Sequence, residues 1–258
     1  MPSQDMHPST GRLAVVSGGG TGIGRATAAA MLASGDDVLL VGRRSAVLEA
    51  TAAELNAAAP TGTATWLAAD TSIPADVSVL ATAVQALHRS VDVIVANAGG
   101  ASARPDGDLD AVEAAWMAAY RANVLSAVLL LHALVPLLSR PGGRIVIVGS
   151  QAAATGGATA PYVAAKSALH GWVLNLAAHL GPDGITANVV SPGYTAGTEL
   201  VAGRIPPDRE SALLARTALG RPASTEEIAA VIAFAASPAA SYVTGQVIAV
   251  DGGVLPPG

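Results

Sequence analysis

The chain has 258 residues, of which 51% are hydrophobic and 13% are charged, and it contains no cysteine. A chain of this length can bury a large core without covalent staples, and α/β folds of this size commonly form one domain. The formal net charge of −5 argues against electrostatic binding to nucleic acid. The lack of thiols excludes disulfides, thiolate zinc sites and a cysteine nucleophile, and the five scattered histidines indicate no metal site.

The first eleven residues are polar and lack the basic-then-apolar pattern of a secretory signal. We expect residues 1–11 to form a flexible tail and residues 12–258 to form a single domain, in a soluble, cytoplasmic protein. Residues 122–138 are nearly all apolar, but they include Asn123 and Pro136 and are short for a membrane span. A helix buried in a core or at a subunit contact is the favoured interpretation.

Short runs rich in β-branched residues or leucine alternate with alanine-rich stretches along most of the chain. The predicted strands are residues 13–17, 38–41, 63–68, 91–96, 144–149, 186–191 and 246–250. The predicted helices are residues 24–33, 46–58, 76–89, 109–140, 162–180 and 225–236. The strands are apolar throughout rather than alternating, which is typical of strands covered on both faces. This order predicts right-handed crossovers and a parallel sheet between two helical layers.

A glycine-rich segment, Gly18-Gly19-Gly20-Thr21-Gly22-Ile23-Gly24, follows the first predicted strand and opens a helix. Glycines let a diphosphate approach backbone N–H groups, and the positive end of the helix dipole favours the anion. The spacing Gly18-x-x-x-Gly22-x-Gly24 differs from the usual dinucleotide fingerprint. A turn that merely closes a helix against a strand is the alternative, but the position after the first strand favours a nucleotide site.

The second predicted strand ends before Arg43 and Arg44. A dinucleotide site usually has an acidic residue near this position, which bonds the ribose 2′-hydroxyl. Gly42 stands there instead, and guanidinium groups bind a 2′-phosphate through paired hydrogen bonds. The pattern therefore predicts NADP(H) in preference to NAD(H), with Arg43 carrying most of the preference. A solvated basic loop is the alternative.

Tyr162 and Lys166 lie four residues apart and therefore share one face of a predicted helix. An ammonium near a phenol lowers the phenol pKa from its ordinary value near 10, so the pair could exchange a proton with a carbonyl or alcohol. Ser150 follows a predicted strand, at the end that faces the ligand crevice of a parallel sheet. For Tyr162 and Lys166 the alternative is a pair that occurs by chance on a surface helix. For Ser150 the alternative is a residue that caps the next turn. No G-x-S-x-G context indicates a hydrolase.

These motifs, in this order, resemble those of the classical short-chain dehydrogenase/reductases from about residue 12 to residue 253. Ser17-Gly18-x-x-x-Gly22-Ile23-Gly24 is similar to the family's cofactor loop, and Asn97-Ala98-Gly99 is similar to its Asn-Ala-Gly motif. The resemblance implies a single-domain, Rossmann-type, doubly wound parallel sheet of seven strands in the order 3-2-1-4-5-6-7, with helices on both faces. It also implies a homotetramer or a homodimer.

The resemblance further implies roles for individual residues. The implied catalytic residues are Asn123, Ser150, Tyr162 and Lys166. With the two arginines, the expected cofactor contacts are Ser17, Gly18, Gly20, Thr21, Gly22, Ile23, Gly24, Arg43, Arg44, Asp70, Thr71, Asn97, Ala98, Gly99, Tyr162, Lys166, Pro192, Gly193 and Thr195. By this resemblance Asp70 bonds the adenine amino group, Asn123 holds a water of a proton relay, and Lys166 also binds ribose hydroxyls.

Two features depart from the family's pattern. Ser150 and Tyr162 are one residue closer together than is usual, which predicts a reshaped loop between them. Thr195 and Thr198 straddle the position where the family often has a threonine that contacts the nicotinamide carboxamide. That contact therefore stays open between the two threonines.

The predicted function is an NADP(H)-dependent carbonyl reductase or alcohol dehydrogenase acting on a small molecule. Residues 195–222 are polar and rich in proline, which predicts a substrate lid. Alanines at 152–154 leave room, and Leu200, Val201, Leu213 and Leu214 predict an apolar cover. An apolar ketone or secondary alcohol is favoured, with 3-oxoacyl chains also open. The alternatives are a non-catalytic NADP-binding regulatory or scaffold protein and, less favoured, an epimerase or dehydratase.

Overall fold

A computed structural model describes residues 11–59, 61–199, 201 and 205–254 of the chain. The expected tail therefore lies, except for Gly11, outside the described residues. All seven predicted strands are present, with ends that differ from prediction by at most two residues. They are β1 (Leu13–Ser17), β2 (Asp37–Gly42), β3 (Ala64–Ala68), β4 (Val93–Ala96), β5 (Arg144–Val148), β6 (Thr186–Pro192) and β7 (Val247–Val250).

The strands form one parallel sheet in the order β3-β2-β1-β4-β5-β6-β7, which confirms the predicted topology. The described helices that connect and cover the strands include all six predicted helical regions. They are α1 (Gly22–Ala33), α2 (Ser45–Ala58), α3 (Pro74–Gln85), α4 (Leu109–Tyr120), α5 (Ser126–Leu134), α6 (Ala152–Thr155), α7 (Ala160–Leu180), α8 (Pro207–Ala215) and α9 (Thr225–Ala235). The strand order reverses between β1 and β4. In open parallel sheets, ligands bind at such a point, in the crevice outside the carboxyl ends of the strands.

Successive residues of the central strands pack into two different apolar layers. In β1, Leu13 and Val15 pack in the layer that contains residues of α3, α5 and α7. Ala14 and Val16 pack in the opposite layer, with residues of α1, α2 and α9. Both faces of the strand are therefore covered, which explains why its sequence shows no alternation of polar and apolar residues.

The predicted helix over 109–140 is interrupted in the structure. α4 runs into a π-helical turn, Arg121–Leu125, which continues into α5 and then into the 3-10 turn Val135–Leu137. Asn123 lies inside the π-helical turn, and its amide nitrogen donates to the carbonyl oxygens of Ala119 and Gly100. A wide turn of this kind often marks a functional position, because it changes which groups a helix presents.

The stretch Leu109–Leu137 is long and apolar enough, by length and composition alone, to cross a membrane. Its apolar residues on α5 have another partner: Leu130, Leu131 and Leu134 are almost completely buried in the layer against the sheet. Burial of this kind is what the core helix of an α/β fold requires. This part of the stretch is therefore a core helix, as the polar residues within it predict.

The polar segment expected to be a lid contains a helix that the sequence did not predict. This helix, α8, carries Asp208 and Glu210 in its first turn. Acidic residues there are favoured by the helix dipole. Leu200, which the sequence places in the apolar cover, lies outside the described residues.

Candidate active site

A cleft of about 460 Å³ opens at the carboxyl ends of the strands, within the range typical of small-molecule and cofactor sites. It extends from the glycine-rich loop and the two arginines after β2 to the residues that follow β5 and open α7. All the predicted site residues line this cleft, with the exceptions of Ser17 and Gly24. The fold therefore brings together side chains that the sequence spreads over more than 170 positions.

The two exceptions lie directly behind the wall of the cleft. The buried Ser17 hydroxyl accepts hydrogen bonds from the backbone N–H groups of Asn97 and Ala98, both at 3.0 Å. Gly24 packs so closely on the loop that a Cβ there would lie 2.2 Å from the Gly18 carbonyl oxygen. Neither residue lines the cleft, and their contacts hold the glycine-rich loop in place, so a direct contact of either with the cofactor stays a prediction.

The glycine-rich loop and the loop after β4 are bonded to each other. The Asn97 side-chain amide donates to the carbonyl oxygens of Ser17, at 3.0 Å, and of Gly18. Gly18 has a φ of +64°, and a Cβ there would lie 2.7 Å from the Asn97 amide nitrogen. Only glycine meets both requirements, because larger residues rarely adopt this conformation and would collide with the amide.

One end of the cleft, beside the turn after β2, carries the residues expected to recognise the adenosine part of a dinucleotide. Arg43 and Arg44 line it from the turn after β2, and Asp70 and Thr71 line it after β3. One Asp70 carboxylate oxygen accepts hydrogen bonds from the backbone N–H and hydroxyl of Ser72, at 2.9 and 2.7 Å. These bonds hold the Asp70 side chain in one orientation beside the cleft.

Glu199 also lines the cleft, although the sequence did not predict it as a site residue. Its carboxylate accepts a hydrogen bond of 2.8 Å from the Arg44 guanidinium, across the cleft from a distant part of the chain. No motif surrounds Glu199, and a charge in a polar segment ordinarily indicates a solvated surface. Only the folded chain shows that it faces the arginines.

At the end of the cleft opposite the two arginines, α7 begins beside the carboxyl end of β5. Its residues Tyr162 and Lys166 line the cleft. Tyr162 is 8% exposed and Lys166 is 4% exposed. The Lys166 ammonium donates to the Val148 carbonyl oxygen at 2.8 Å and lies 5.9 Å from the centre of the Tyr162 ring. Pro161, in the first turn of α7, suits a helix start because its missing N–H would have no partner there.

The pKa of Tyr162 differs in direction from the sequence prediction. Burial raises the pKa of the phenol, and a hydrogen bond with the Ser150 side chain opposes that rise. Burial also lowers the pKa of Lys166 to about 8. In this structure the loss of hydration outweighs the lowering of the Tyr162 pKa that is expected from Lys166, whose ammonium is bonded to the β5 backbone.

A family model described as enoyl-(acyl carrier protein) reductase matches residues 18–255 of the chain. The cis-4-hydroxycyclohexanecarboxylate dehydrogenase of Sinomonas cyclohexanicum is 38% identical over 94% of this chain and 96% of its own. A solved short-chain type dehydrogenase/reductase from Mycobacterium ulcerans has a TM-score of 0.85 at 32% identity, covering 94% of this chain and 89% of that one. The chain belongs to the short-chain dehydrogenase/reductase family.

Another solved relative bears on the cofactor of this short-chain dehydrogenase/reductase. A blue fluorescent protein from a metagenomic library, solved in complex with NADPH, has a TM-score of 0.82 at 33% identity. The alignment covers 94% of this chain and 97% of that protein. The chain thus shares its fold along nearly its whole length with a protein that binds a nicotinamide cofactor.

The first departure from the family's pattern, the short spacing between Ser150 and Tyr162, coincides with the one-turn helix α6. That helix ends at Gly156, which has a φ of +69°. The Ser150 hydroxyl accepts a 3.2 Å hydrogen bond from the Ala152 N–H, and its side chain is also hydrogen-bonded to Tyr162. Ser150 therefore caps the turn, as the alternative interpretation predicts, and also contacts the phenol, whereas its bond to the reacting oxygen of a substrate stays a prediction.

The second departure concerns the two threonines beyond β6, and both of them line the cleft. Thr195 is buried, and its hydroxyl donates to the Gly193 carbonyl oxygen at 3.1 Å. Thr198 lies over the glycine-rich loop, where a Cβ on Gly22 would be 3.5 Å from its methyl carbon. Thr195 is therefore bonded within the turn after β6, whereas Thr198 packs against the glycine-rich loop.

Only part of the expected substrate cover lies at this cleft: Val201 lines it, and Leu200 lies outside the described residues. Ala152, Ala153, Ala154, Leu213 and Leu214 do not line it. α8 is instead tethered beside the loop after α6: the Tyr194 hydroxyl donates to Glu210 at 2.7 Å, and Arg209 donates to the Gly157 carbonyl oxygen at 3.2 Å. These contacts hold α8 beside the segment between Ser150 and Tyr162.

Proposed function

We propose that the protein is an NADP(H)-dependent oxidoreductase that moves hydride between nicotinamide C4 and a ketone or secondary alcohol. One observation supports this above the others: a single cleft joins a glycine-rich phosphate loop and two arginines to Ser150, Tyr162 and Lys166. A site for phosphates at one end and a buried acid at the other matches a dinucleotide-dependent reaction. Residues 12–258 then form one catalytic domain, since one sheet extends from Leu13 to Val250.

The cofactor fits the groups that the cleft presents. The loop before α1 has glycines at positions where side chains would fill the space beside the backbone, so a phosphate can approach the backbone N–H groups. The N-terminus of α1 also favours a phosphate. Arg43 and Arg44 would hold the 2′-phosphate, Asp70 and Thr71 would hold the adenine, and Thr195 would lie beside the nicotinamide. When it is bound, the nicotinamide supplies or accepts the hydride.

The residues around α7 provide the proton. Tyr162 donates its phenolic proton to the carbonyl oxygen during reduction, and Ser150 orients that oxygen through its hydroxyl. The Lys166 ammonium stabilises the phenolate that remains. Asn123 bonds both the N–H and the carbonyl of Gly100, which steadies the loop beside Lys166. The resemblance adds a water at Asn123 that would return the proton from solvent.

The pKa of Lys166 predicts a pH dependence. We expect kcat/KM for carbonyl reduction to fall as pH rises through about 8, where the ammonium loses its proton. The raised pKa of Tyr162 keeps the phenol protonated in that range, so loss of the lysine charge is the limiting titration. Initial rates at saturating NADPH across this range would show the decline. NADPH affinity measured in the same buffers is the control, and a rate that stays constant above pH 8 contradicts the assignment.

The substrate is a small carbonyl compound or secondary alcohol of mainly apolar character, with 3-oxoacyl thioesters as the second class. A relative named for a cyclic hydroxy acid supports the first class. A relative named 3-oxoacyl-[acyl-carrier-protein] reductase, from Escherichia coli, supports the second. The intact set of Ser150, Tyr162 and Lys166 in one cleft argues against a non-catalytic NADP-binding regulatory or scaffold protein.

Turnover with purified protein tests the proposed function. We expect NADPH oxidation with at least one member of a panel of open-chain and cyclic ketones, quinones and 3-oxoacyl thioesters. NADH in the same assays measures the cofactor preference. Tight binding of NADPH without turnover of any panel member would move the conclusion to the non-catalytic alternative.

The assembly is proposed to be a homotetramer or a homodimer, in the cytoplasm where metabolism supplies nicotinamide cofactors. The inner face of α5 is buried, so the predicted apolar contact between subunits cannot use that face. α4 instead exposes Leu109, Trp116, Met117 and Tyr120, and α7 exposes Leu174. Large apolar side chains exposed together are typical of a surface that a second copy covers.

A further inference from the structure

The Arg44–Glu199 ion pair bridges the opening of the cleft at its phosphate end. The two charged groups are 2.8 Å apart, and their side chains are 56% and 58% exposed. Both residues line the same cleft as Arg43 and Gly20. The pair therefore lies where the 2′-phosphate of the proposed cofactor would bind, and solvent or a ligand can reach both partners.

The backbone directs the Glu199 carboxylate toward the arginine. Residues beyond β6 are anchored by hydrogen bonds between Tyr194 and Ala223 and between Ala196 and Ala223, each 2.9 Å long. Gly197 then turns the chain with a φ of +73°, and the Thr198 hydroxyl donates to the Thr195 carbonyl oxygen. The segment thus crosses the glycine-rich loop and brings Glu199 to Arg44.

We propose that Glu199 competes with the 2′-phosphate of NADP(H) for Arg44 and so reduces the protein's preference for NADP(H) over NAD(H). Carboxylates and phosphates both accept hydrogen bonds from a guanidinium, and one terminal nitrogen of Arg44 already donates to Glu199, so the phosphate must displace Glu199 to use the whole guanidinium. Binding of NADP(H) therefore releases Glu199 from Arg44. NAD(H) has no 2′-phosphate and leaves the pair intact.

Charge makes the competition specific for the phosphorylated cofactor. A carboxylate that stays near Arg44 repels a nearby 2′-phosphate and lowers the net positive charge that attracts it. The exposed pair itself is weak, because solvent screens it, so it can yield to a ligand of higher charge. Arg43 then carries the larger share of phosphate binding, since Arg44 is shared with Glu199.

The inference rests on the proposed function, and fragment binding tests the two separately. Adenosine 2′,5′-bisphosphate carries the discriminating phosphate, and adenosine 5′-monophosphate lacks it. We expect Glu199→Gln to tighten the bisphosphate by about threefold to tenfold while leaving the monophosphate nearly unchanged. Glu54→Gln is the matched control, because Glu54 forms an exposed pair with Arg25 outside the cleft. It should change neither affinity.

A double-substitution cycle with Arg44 separates competition from a general charge effect. If Glu199 acts through Arg44, most of the gain from Glu199→Gln should disappear in an Arg44→Gln background. An unchanged or weaker bisphosphate affinity in Glu199→Gln overturns the competition. A full gain without Arg44 overturns it as well, because the effect would then need no contact with the arginine.

The affinities of the wild-type protein for NADPH and NADH test the proposed cofactor preference independently of this cycle. If the wild type prefers NADPH and Glu199→Gln has no effect, the competition is wrong and the proposed preference stands. If the wild type shows no preference but Glu199→Gln acquires one, the competition is supported and the preference proposed for the natural chain is wrong. If neither protein discriminates, both proposals are wrong.

Discussion

Replacing Tyr162 by phenylalanine should reduce turnover by about 10²- to 10⁴-fold, the range that a positioned proton donor contributes. The ring would remain packed in its buried position, so the change removes only the hydroxyl that is bonded to Ser150. Lys166 keeps its bond to the β5 backbone, which does not involve the phenol oxygen. We therefore expect NADPH affinity to be nearly unchanged.

Steady-state rates together with NADPH titrations would separate chemistry from binding. Tyr242→Phe is the matched control, because Tyr242 is fully exposed at 101% and lies outside the cleft, and it should behave as the wild type. A Tyr162→Phe enzyme with full turnover would refute the assignment of Tyr162 as the proton donor. A large loss of NADPH affinity instead would assign the hydroxyl a mainly cofactor-binding role.

Replacing Arg43 and Arg44 together by glutamine should weaken NADPH binding by about 10²-fold, because each guanidinium can make charge-assisted hydrogen bonds to the 2′-phosphate. NADH has no such phosphate, so its affinity should change little. Arg43→Gln alone should account for most of the loss, since Arg44 already forms an ion pair with Glu199. Dissociation constants for the two cofactors, measured side by side, check the prediction.

The control for this pair is Arg25→Gln. Arg25 is an exposed arginine in an ion pair, as Arg44 is, but it does not line the cleft. It should leave both dissociation constants as they are in the wild type. Equal losses for NADPH and NADH in the double variant would contradict a 2′-phosphate role and indicate a general effect on the nucleotide site.

Local patterns in the sequence were enough to predict the sheet and most of the site. The strands are short apolar runs between turn residues, and their order allows few arrangements of a parallel sheet. The spacing of Tyr162 and Lys166 already places both side chains on one helix face. Ser150 and the glycine-rich loop follow strands, so the end of the sheet on which they lie was predictable before any contact was known.

Contacts between distant segments were not predictable in this way. The sequence shows nothing that couples Ser17 to the loop after β4, although that contact explains why Ser17 lies behind the cleft and not in its wall. The π-helical turn at Asn123 likewise depends on bonds to Gly100, which the helical pattern of residues 109–140 does not reveal. In both cases the partner is a backbone group, and backbone groups leave no mark on residue type.

The sequence by itself determined the order of the elements, the chemistry of the two ends of the cleft and the residues proposed to transfer the proton. The tertiary structure decided how those groups are hydrated and paired. Burial, which no short motif encodes, reversed the expected pKa direction of Tyr162 and lowered that of Lys166. Folding also placed Glu199 beside Arg44, because hydration and ion pairing depend on every segment that packs nearby and not on the neighbours along the chain.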